Sequence, residues 1–313
     1  MLLLAPMEGI ADHSMRALLT EHGEFDLCIS EFVRVSNTLL PQRVFKRYLP
    51  ELENGCQTAS GCPVHVQLLG SDPLLMGENA HKVVEMGAPG IDLNFGCPAK
   101  MVNRHGGGAL LLNEPEQVAR IVSAVRRAVP DAIPVSAKMR LGYADTSLTL
   151  ENACAIESSG ASALTVHART KSQGYRPPAH WEWIARIGEV VKLPLIANGE
   201  IWTYSDYLKC VEASGCEHVM LGRGALRNPL LSRQIKAQQA DPNPEQAWQQ
   251  IHPLLLDFYR VTEPHYPEKH LCQRVKQWLG FLAPGYQQAQ DLFERIKPLK
   301  QATQIQQLLQ SNA

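Results

Sequence analysis

Short runs of apolar and β-branched residues alternate, through the first three quarters of the chain, with longer stretches whose apolar positions recur at three- and four-residue intervals. The short runs predict strands at Leu2–Met7, Leu27–Phe32, Val64–Leu69, Ile91–Asn94, Val135–Met139, Ala163–His167, Leu193–Ala197 and His218–Leu221. The longer stretches predict helices at Pro73–Met86, Pro115–Val129, Leu148–Ser158 and Tyr204–Ala213. Several of them stop at a glycine (Gly87, Gly160, Gly215), the residue best able to take the left-handed conformation of a helix end. Eight strand runs alternating with helical segments over about 230 residues match a (β/α)8 barrel of the TIM type, which takes roughly 250. A doubly wound open sheet would show a G-x-G-x-x-G turn after an early strand, and the sequence has none there.

After Ala240 the pattern changes. Asp241-Pro-Asn-Pro244 reads as a linker or helix start, and Glu245–Thr262, Lys269–Leu282 and Tyr286–Leu309 carry helical periodicity broken by Pro and Gly. The expectation is two domains: a catalytic α/β barrel over 1–240 and a small C-terminal helical bundle over 241–313.

Composition narrows the function classes. Apolar residues make up 45% of the 313 and charged residues 19%, enough for a large core and too apolar for a disordered chain. The formal net charge of −1 gives no whole-molecule field toward nucleic acid, so any such binding must come from local patches. The apolar start is interrupted by Pro6 and Glu8 before a signal core could form, and no apolar run approaches a membrane span, so a cytoplasmic protein is expected. The eight cysteines include no C-x-x-C pair. The Cys56/Cys62 and Cys210/Cys216 spacings fit no common zinc site, so neither a metal nor a disulfide framework is expected.

In such barrels the reactive groups sit at the C-terminal ends of the strands. The strand ends here carry Pro6-Met7-Glu8-Gly9, Gln67, Asn94-Phe-Gly-Cys-Pro98, Lys138-Met-Arg140, His167-Ala-Arg169, Asn198-Gly199-Glu200 and Gly222-Arg223-Gly224. One or two of these would serve any barrel as caps; so many together point to an active site. The glycine turns of the last two strand ends, with Arg223 as fixed charge, suit a phosphate. Lys138 and His167 would stand beside it, facing a flavin ring, and Gln67 offers both amide faces to the pyrimidine edge of one. Lys138 could equally be a Schiff-base nucleophile of an aldolase-type barrel, its pKa lowered by Arg140 on the same face. Cys97 decides against that. It leaves its strand on a Gly-Cys-Pro turn followed by a loop with three consecutive glycines, Gly106 to Gly108, which places a thiol at the mouth where it can protonate a substrate carbon beside a hydride donor. The other seven cysteines read as buried inert residues.

At these residues the chain resembles the tRNA-dihydrouridine synthases. The Asn94-x-Gly-Cys-Pro98 turn is specific to that family, and Ala5-Pro-Met7, Lys138-x-Arg140, His167-x-Arg169-Thr170, Asn198-Gly199 and Gly222-Arg-Gly224 follow in family order over essentially the whole chain. The resemblance implies FMN as cofactor, NADPH as reductant and a uridine of the tRNA D-loop as substrate, handled by a monomer. It implies FMN contacts at Pro6, Met7, Glu8, Gln67, Lys138, His167, Asn198, Gly199, Glu200, Gly222 and Arg223. It also implies that Cys97 protonates uracil C5 after hydride reaches C6, with Asn94 and Arg140 holding the base. Glu31-Phe-Val-Arg-Val35, Asn198-Gly-Glu-Ile-Trp202 and Arg274-Val-Lys-Gln-Trp278 resemble the bacterial C subfamily, which is associated with uridine 16.

The residues add their own case for RNA. Arg34, Arg43, Lys46 and Arg47 stand without an acid between Phe32 and Pro50; Lys100, Arg104, Arg169, Lys171 and Arg176 would rim the mouth; and in the helical part Lys269, Arg274, Lys276, Arg295, Lys297 and Lys300 outnumber Glu268, Asp291 and Glu294. Any one such run is usually a solvated face, but three around one mouth suit phosphate contacts. Tyr175 could stack on a flipped base. The competing readings are a small-molecule flavin reductase resembling dihydroorotate or dihydropyrimidine dehydrogenases, a Lys138 lyase, and a non-catalytic RNA-binding protein.

Overall fold

A computed structural model describes residues 1–311. Nine parallel strands alternate with helices: β1 (Leu2–Leu4), β2 (Leu27–Ile29), β3 (Val33–Arg34), β4 (Val64–Leu69), β5 (Ile91–Phe95), β6 (Val135–Arg140), β7 (Ala163–His167), β8 (Leu195–Asn198) and β9 (His218–Leu221). They form one sheet in the order β2-β1-β9-β8-β7-β6-β5-β4-β3, and an additional β2–β4 pairing closes it into an eight-position barrel. β2 and β3 share one position. Between their paired residues, Ser30, Glu31 and Phe32 stand against only Val66 and Gln67 of β4, a bulge that splits the run expected as one strand, Leu27–Phe32. The first strand ends earlier than expected, two residues before Pro6.

Alternation along each strand decides what lies inside. The outward set packs under the helices as one core that includes Leu2, Leu4, Val66, Leu68, Leu93, Ala137, Met139, Val166 and Leu221. The inward set falls into two halves. Leu3, Ile29, Ile196 and Met220 form a separate apolar cluster that plugs the barrel beneath β1, β2, β8 and β9. The opposite half, from β4 to β7, turns Gln67, Asp92, Asn94, Ser136, Lys138, Arg140, Thr165 and His167 to the same interior, most of them nearly inaccessible to solvent. So many buried polar groups need partners, and their pairing builds the site.

The chain leaves the barrel after the helix Leu231–Lys236 and forms four helices, Pro244–Thr262, Glu268–Leu282, Gln287–Ile296 and Ala302–Ser311. The single periodic stretch expected over Tyr286–Leu309 is two helices, broken around Pro298, which has no N–H to donate. This segment shares the barrel's core. Trp278 packs on Phe258 with ring centroids 5.1 Å apart and donates through Nε1 to the Leu226 carbonyl at 2.9 Å. Among the described residues no helix is long and apolar enough to cross a membrane.

Candidate active site

The mouth of the barrel holds a cavity of about 500 Å³, lined among others by Pro6, Met7, Glu8, Asn94, Cys97, Lys138, Arg140, His167, Tyr175, Asn198, Gly199, Glu200, Gly222 and Arg223. Six strand ends that are far apart in sequence therefore meet in one place.

Cys97 is held on all sides. The Asn94 Oδ1 accepts the backbone N–H groups of Gly96 and Cys97, both at 2.9 Å, which shapes the turn leaving β5. The Cys97 carbonyl accepts from Asn103 Nδ2 at 3.0 Å and from the Ala109 N–H at 3.1 Å, so the glycine-rich loop, part of it the helix Lys100–Arg104, is tied back onto the turn. Gly108 permits this closure. Its φ is +63°, and a Cβ there would stand 2.7 Å from the Cys97 carbonyl oxygen. The thiol is only 7% exposed and faces the cavity from under its loop, more sheltered than the turn alone suggested. Burial pushes its pKa up and Glu8 adds to that, against weaker pulls from the Ala99 N–H, Arg140 and Arg34. A thiol above its ordinary value is protonated at neutral pH, the state required of an acid and unsuited to a nucleophile.

Cations dominate the opposite wall. The half-buried Lys138 ammonium donates to Asn198 Oδ1 at 3.1 Å, and its pKa is lowered to about 8, first by desolvation and then by Arg140. Arg140 donates from Nε to Gly96 O at 2.9 Å and from Nη1 to Thr170 O and Gly174 O at 3.2 and 3.0 Å, lacing the Cys97 turn to the loop after β7. His167 is pushed well below its ordinary value by burial and then by Arg140, Lys138, Arg169 and Arg223, so its ring is neutral at neutral pH. Arg223 lies between two rings, with Tyr175 4.4 Å and Trp202 5.0 Å from its Cζ. Glu200, at φ +59°, forms an ion pair with Arg169 and accepts from Trp202 Nε1 at 2.8 Å, so its charge is already balanced. The turns after β8 and β9 are pressed together, because a Cβ on Gly224 would meet the Ile201 carbonyl oxygen at 2.0 Å.

Lys138, Arg140 and Arg223 therefore face one cavity in which, among the described residues, Glu8 is the uncommitted carboxylate. Positive charge gathered in a part-buried cleft favours an anionic ligand. A flat, phosphate-bearing group fits this wall. Among the described residues no cluster of His, Cys, Asp and Glu is arranged to hold a metal ion.

Some expectations change. Gln67 does not reach the cavity; it is fully buried, its Nε2 donating to Asp92 at 2.6 Å and its Oε1 accepting from Asn94 at 2.7 Å. Arg274 is not a surface cation. It is 9% exposed, ion-paired with Asp12 at 2.8 Å and donating to the carbonyls of Gly9 and Ile10. Arg169, expected on the rim, is wholly buried against Glu200. Arg34 closes β3 half-buried, outside the cavity lining but close enough for its charge to act on Cys97. Of the cysteines read as buried, Cys154 is exposed. Trp202 and Phe281 line the cavity without having been singled out, and Phe281 comes from the helical segment, a packing contact with no local sequence signal.

Fold and site together define the class: a (β/α)8 barrel whose mouth is lined by cations around a buried, protonated thiol. The dihydrouridine synthase family model matches residues 3–313, and the chain belongs to that family. It is 51% identical over 304 residues, covering 97% of this chain and 93% of the relative, to a protein of Ralstonia nicotianae named tRNA-dihydrouridine(16) synthase. A protein of the same name from Aquipseudomonas alcaligenes is 49% identical over 307 residues, 98% of each chain. Among solved structures, the old yellow enzyme homologue of Zymomonas mobilis superposes with a TM-score of 0.54 at 12% identity, covering 79% of this chain and 91% of that one, a likeness of fold. The family match extends through the helical segment, which a barrel-only small-molecule reductase would not need, so that reading, the Lys138 lyase and the non-catalytic binder are set aside.

Proposed function

We propose that this chain reduces uridine 16 in the tRNA D-loop to 5,6-dihydrouridine, with FMN as cofactor and NADPH as reductant, as a cytoplasmic monomer. The observation that carries it is the buried, protonated Cys97 thiol facing a cation-lined cavity. When bound, FMN supplies the hydride for pyrimidine C6. Arg223, with the Gly199 and Gly222 turns, would hold its phosphate, and Lys138, neutral His167, Pro6, Met7, Glu8, Asn198 and Glu200 would hold the rest of it. Cys97 holds a proton on Sγ and delivers it to C5, and solvent returns one to the thiolate. Asn94, the remaining Arg140 N–H groups and the Tyr175 ring hold the base. In this reading the barrel over 1–240 is catalytic and the helical part over 241–313 binds tRNA.

A base stacked in the D-loop must be extruded to reach this cavity, at a cost of a few kcal/mol. Exposed cations such as Arg43, Arg47, Lys100 and Arg104, together with half-buried Arg34, would offset that cost through phosphate contacts. Mapping dihydrouridine in tRNA from a strain lacking this gene tests the reading. Loss confined to position 16 and restored by the gene is expected; full modification at 16 in its absence overturns it.

A further inference from the structure

Beneath the Cys97 turn, four inward residues of three neighbouring strands, β4, β5 and β6, are joined in one line. Gln67 stands beside Asp92, and Asp92 beside Ser136, in the sheet register. Ser136 Oγ donates to Asp92 Oδ1 at 2.7 Å, Gln67 Nε2 donates to Asp92 Oδ2 at 2.6 Å, and Asn94 Nδ2 donates to Gln67 Oε1 at 2.7 Å. All four residues are buried; Asp92 is 1% exposed and Gln67 0%.

The direction of this line is not free. Backbone N–H groups only donate, so those of Gly96 and Cys97 require the oxygen of the Asn94 amide on their side. That leaves Asn94 Nδ2 to face Gln67, which must answer with Oε1 and turn its own Nε2 to Asp92. The line closes only because Asp92 accepts at both oxygens. Both acceptor sites of Asn94 are then filled, and one of its two amide hydrogens is used. The hydrogen left over belongs to a residue lining the cavity. We propose that Ser136, Asp92, Gln67 and Asn94 form a directional relay, rooted in the Asp92 carboxylate, that positions the Cys97 turn.

A reversal of the relay tests it. Asn94→Asp keeps an acceptor for Gly96 and Cys97 but sets a second acceptor against Gln67 Oε1. Gln67 relieves that clash only by turning its amide, which then points Oε1 at Asp92. Adding Asp92→Asn restores every bond in the opposite direction: the new amide nitrogen donates to Gln67 while its oxygen keeps Ser136. Four full-length proteins, unmodified, each single variant and the double, are compared without flavin or tRNA. Two quantities are read, the thermal midpoint and the iodoacetamide alkylation rate of Cys97, the latter measured on its own tryptic peptide.

The relay predicts that Asn94→Asp lowers the midpoint and shifts the alkylation rate by about fivefold or more. Adding Asp92→Asn recovers the midpoint and returns the rate to within about twofold, the size of coupling expected of directly bonded residues. In the unmodified background Asp92→Asn gives no gain. The same effect of Asp92→Asn in both backgrounds, or a recovered midpoint with the alkylation rate still shifted, overturns the positioning role.

Discussion

Arg274 and Asp12 meet at 2.8 Å across the junction of the helical segment and the barrel, both side chains about nine-tenths buried. Asp12 also caps the helix His13–His22 by accepting from the Met15 N–H at 2.9 Å, and takes the Tyr266 hydroxyl at 2.6 Å. Arg274 reaches past it to the carbonyls of Gly9 and Ile10, immediately after Glu8 in the cavity wall. One guanidinium thus fixes the helical segment to the loop that carries Pro6, Met7 and Glu8.

Removing that guanidinium leaves the buried Asp12 carboxylate without its cation and the Ile10 carbonyl without this donor, while the Gly9 carbonyl keeps Gln277 Nε2 at 2.9 Å. Arg274→Ala is expected to destabilise the protein by about 3–5 kcal/mol, the usual cost of breaking a buried pair from one side. Denaturant unfolding measures it. A loss near zero would mean that the junction is held by its apolar contacts alone.

Arg223 stands in the cation wall between the Tyr175 and Trp202 rings. Arg223→Ala is expected to purify with much less flavin, since a charged hydrogen bond lost at such a site costs roughly 1.5–3 kcal/mol. The absorbance ratio of flavin to protein checks it, and full occupancy in the variant would move the phosphate site elsewhere.

Lys138 makes cofactor binding sensitive to pH. Its pKa is about 8 in the folded protein against an ordinary 10.5. The folded protein therefore binds fewer protons than the unfolded chain between those values. This group's contribution to stability rises as pH climbs through that window and is least favourable below about 8. An anionic ligand favours the ammonium and reverses the shift. FMN binding at pH 8–9 is expected to take up a proton, and affinity to fall as pH rises through about 8. Calorimetry in two buffers of different ionisation enthalpy reads the uptake, which Lys138→Met should abolish. An uptake unchanged in that variant would assign the proton to another group.

Arg34 is one of the cations proposed to contact RNA phosphates, a role that burial of Arg274 denies to that residue. Arg34→Ala is expected to weaken tRNA binding and to reduce the slope of log affinity against log salt by about 0.7–0.9, one phosphate contact, with flavin content unchanged. Equal slopes for the variant and the unmodified chain would remove Arg34 from the RNA surface.

The strands could be read from the sequence because each is a compact apolar run, and the strand ends could be read because a barrel puts its chemistry there. Cys97, Lys138 and His167 were therefore within reach of pattern alone. The bulge at Ser30–Phe32 was not, since it depends on the register against β4. The partners of Gln67 were out of reach for a related reason: its strand position is legible, but which groups take its amide is decided by Asp92 and Asn94 on the next strand. Arg274 and Arg169 read as surface cations because their carboxylate partners lie 262 and 31 residues away in sequence. Phe281 enters the cavity only through packing of the helical segment on the barrel.

The role of Cys97 as the acid of uridine reduction is tested most directly by anaerobic reoxidation of the reduced holoenzyme by tRNA. With NADPH consumed and oxygen excluded, the unmodified protein is expected to regain its oxidised flavin spectrum on mixing with unmodified tRNA. Cys97→Ala should bind flavin and accept reduction by NADPH normally, yet reoxidise with tRNA at least about a hundredfold more slowly, the range of a lost general acid. Reoxidation of Cys97→Ala at the unmodified rate would contradict the account.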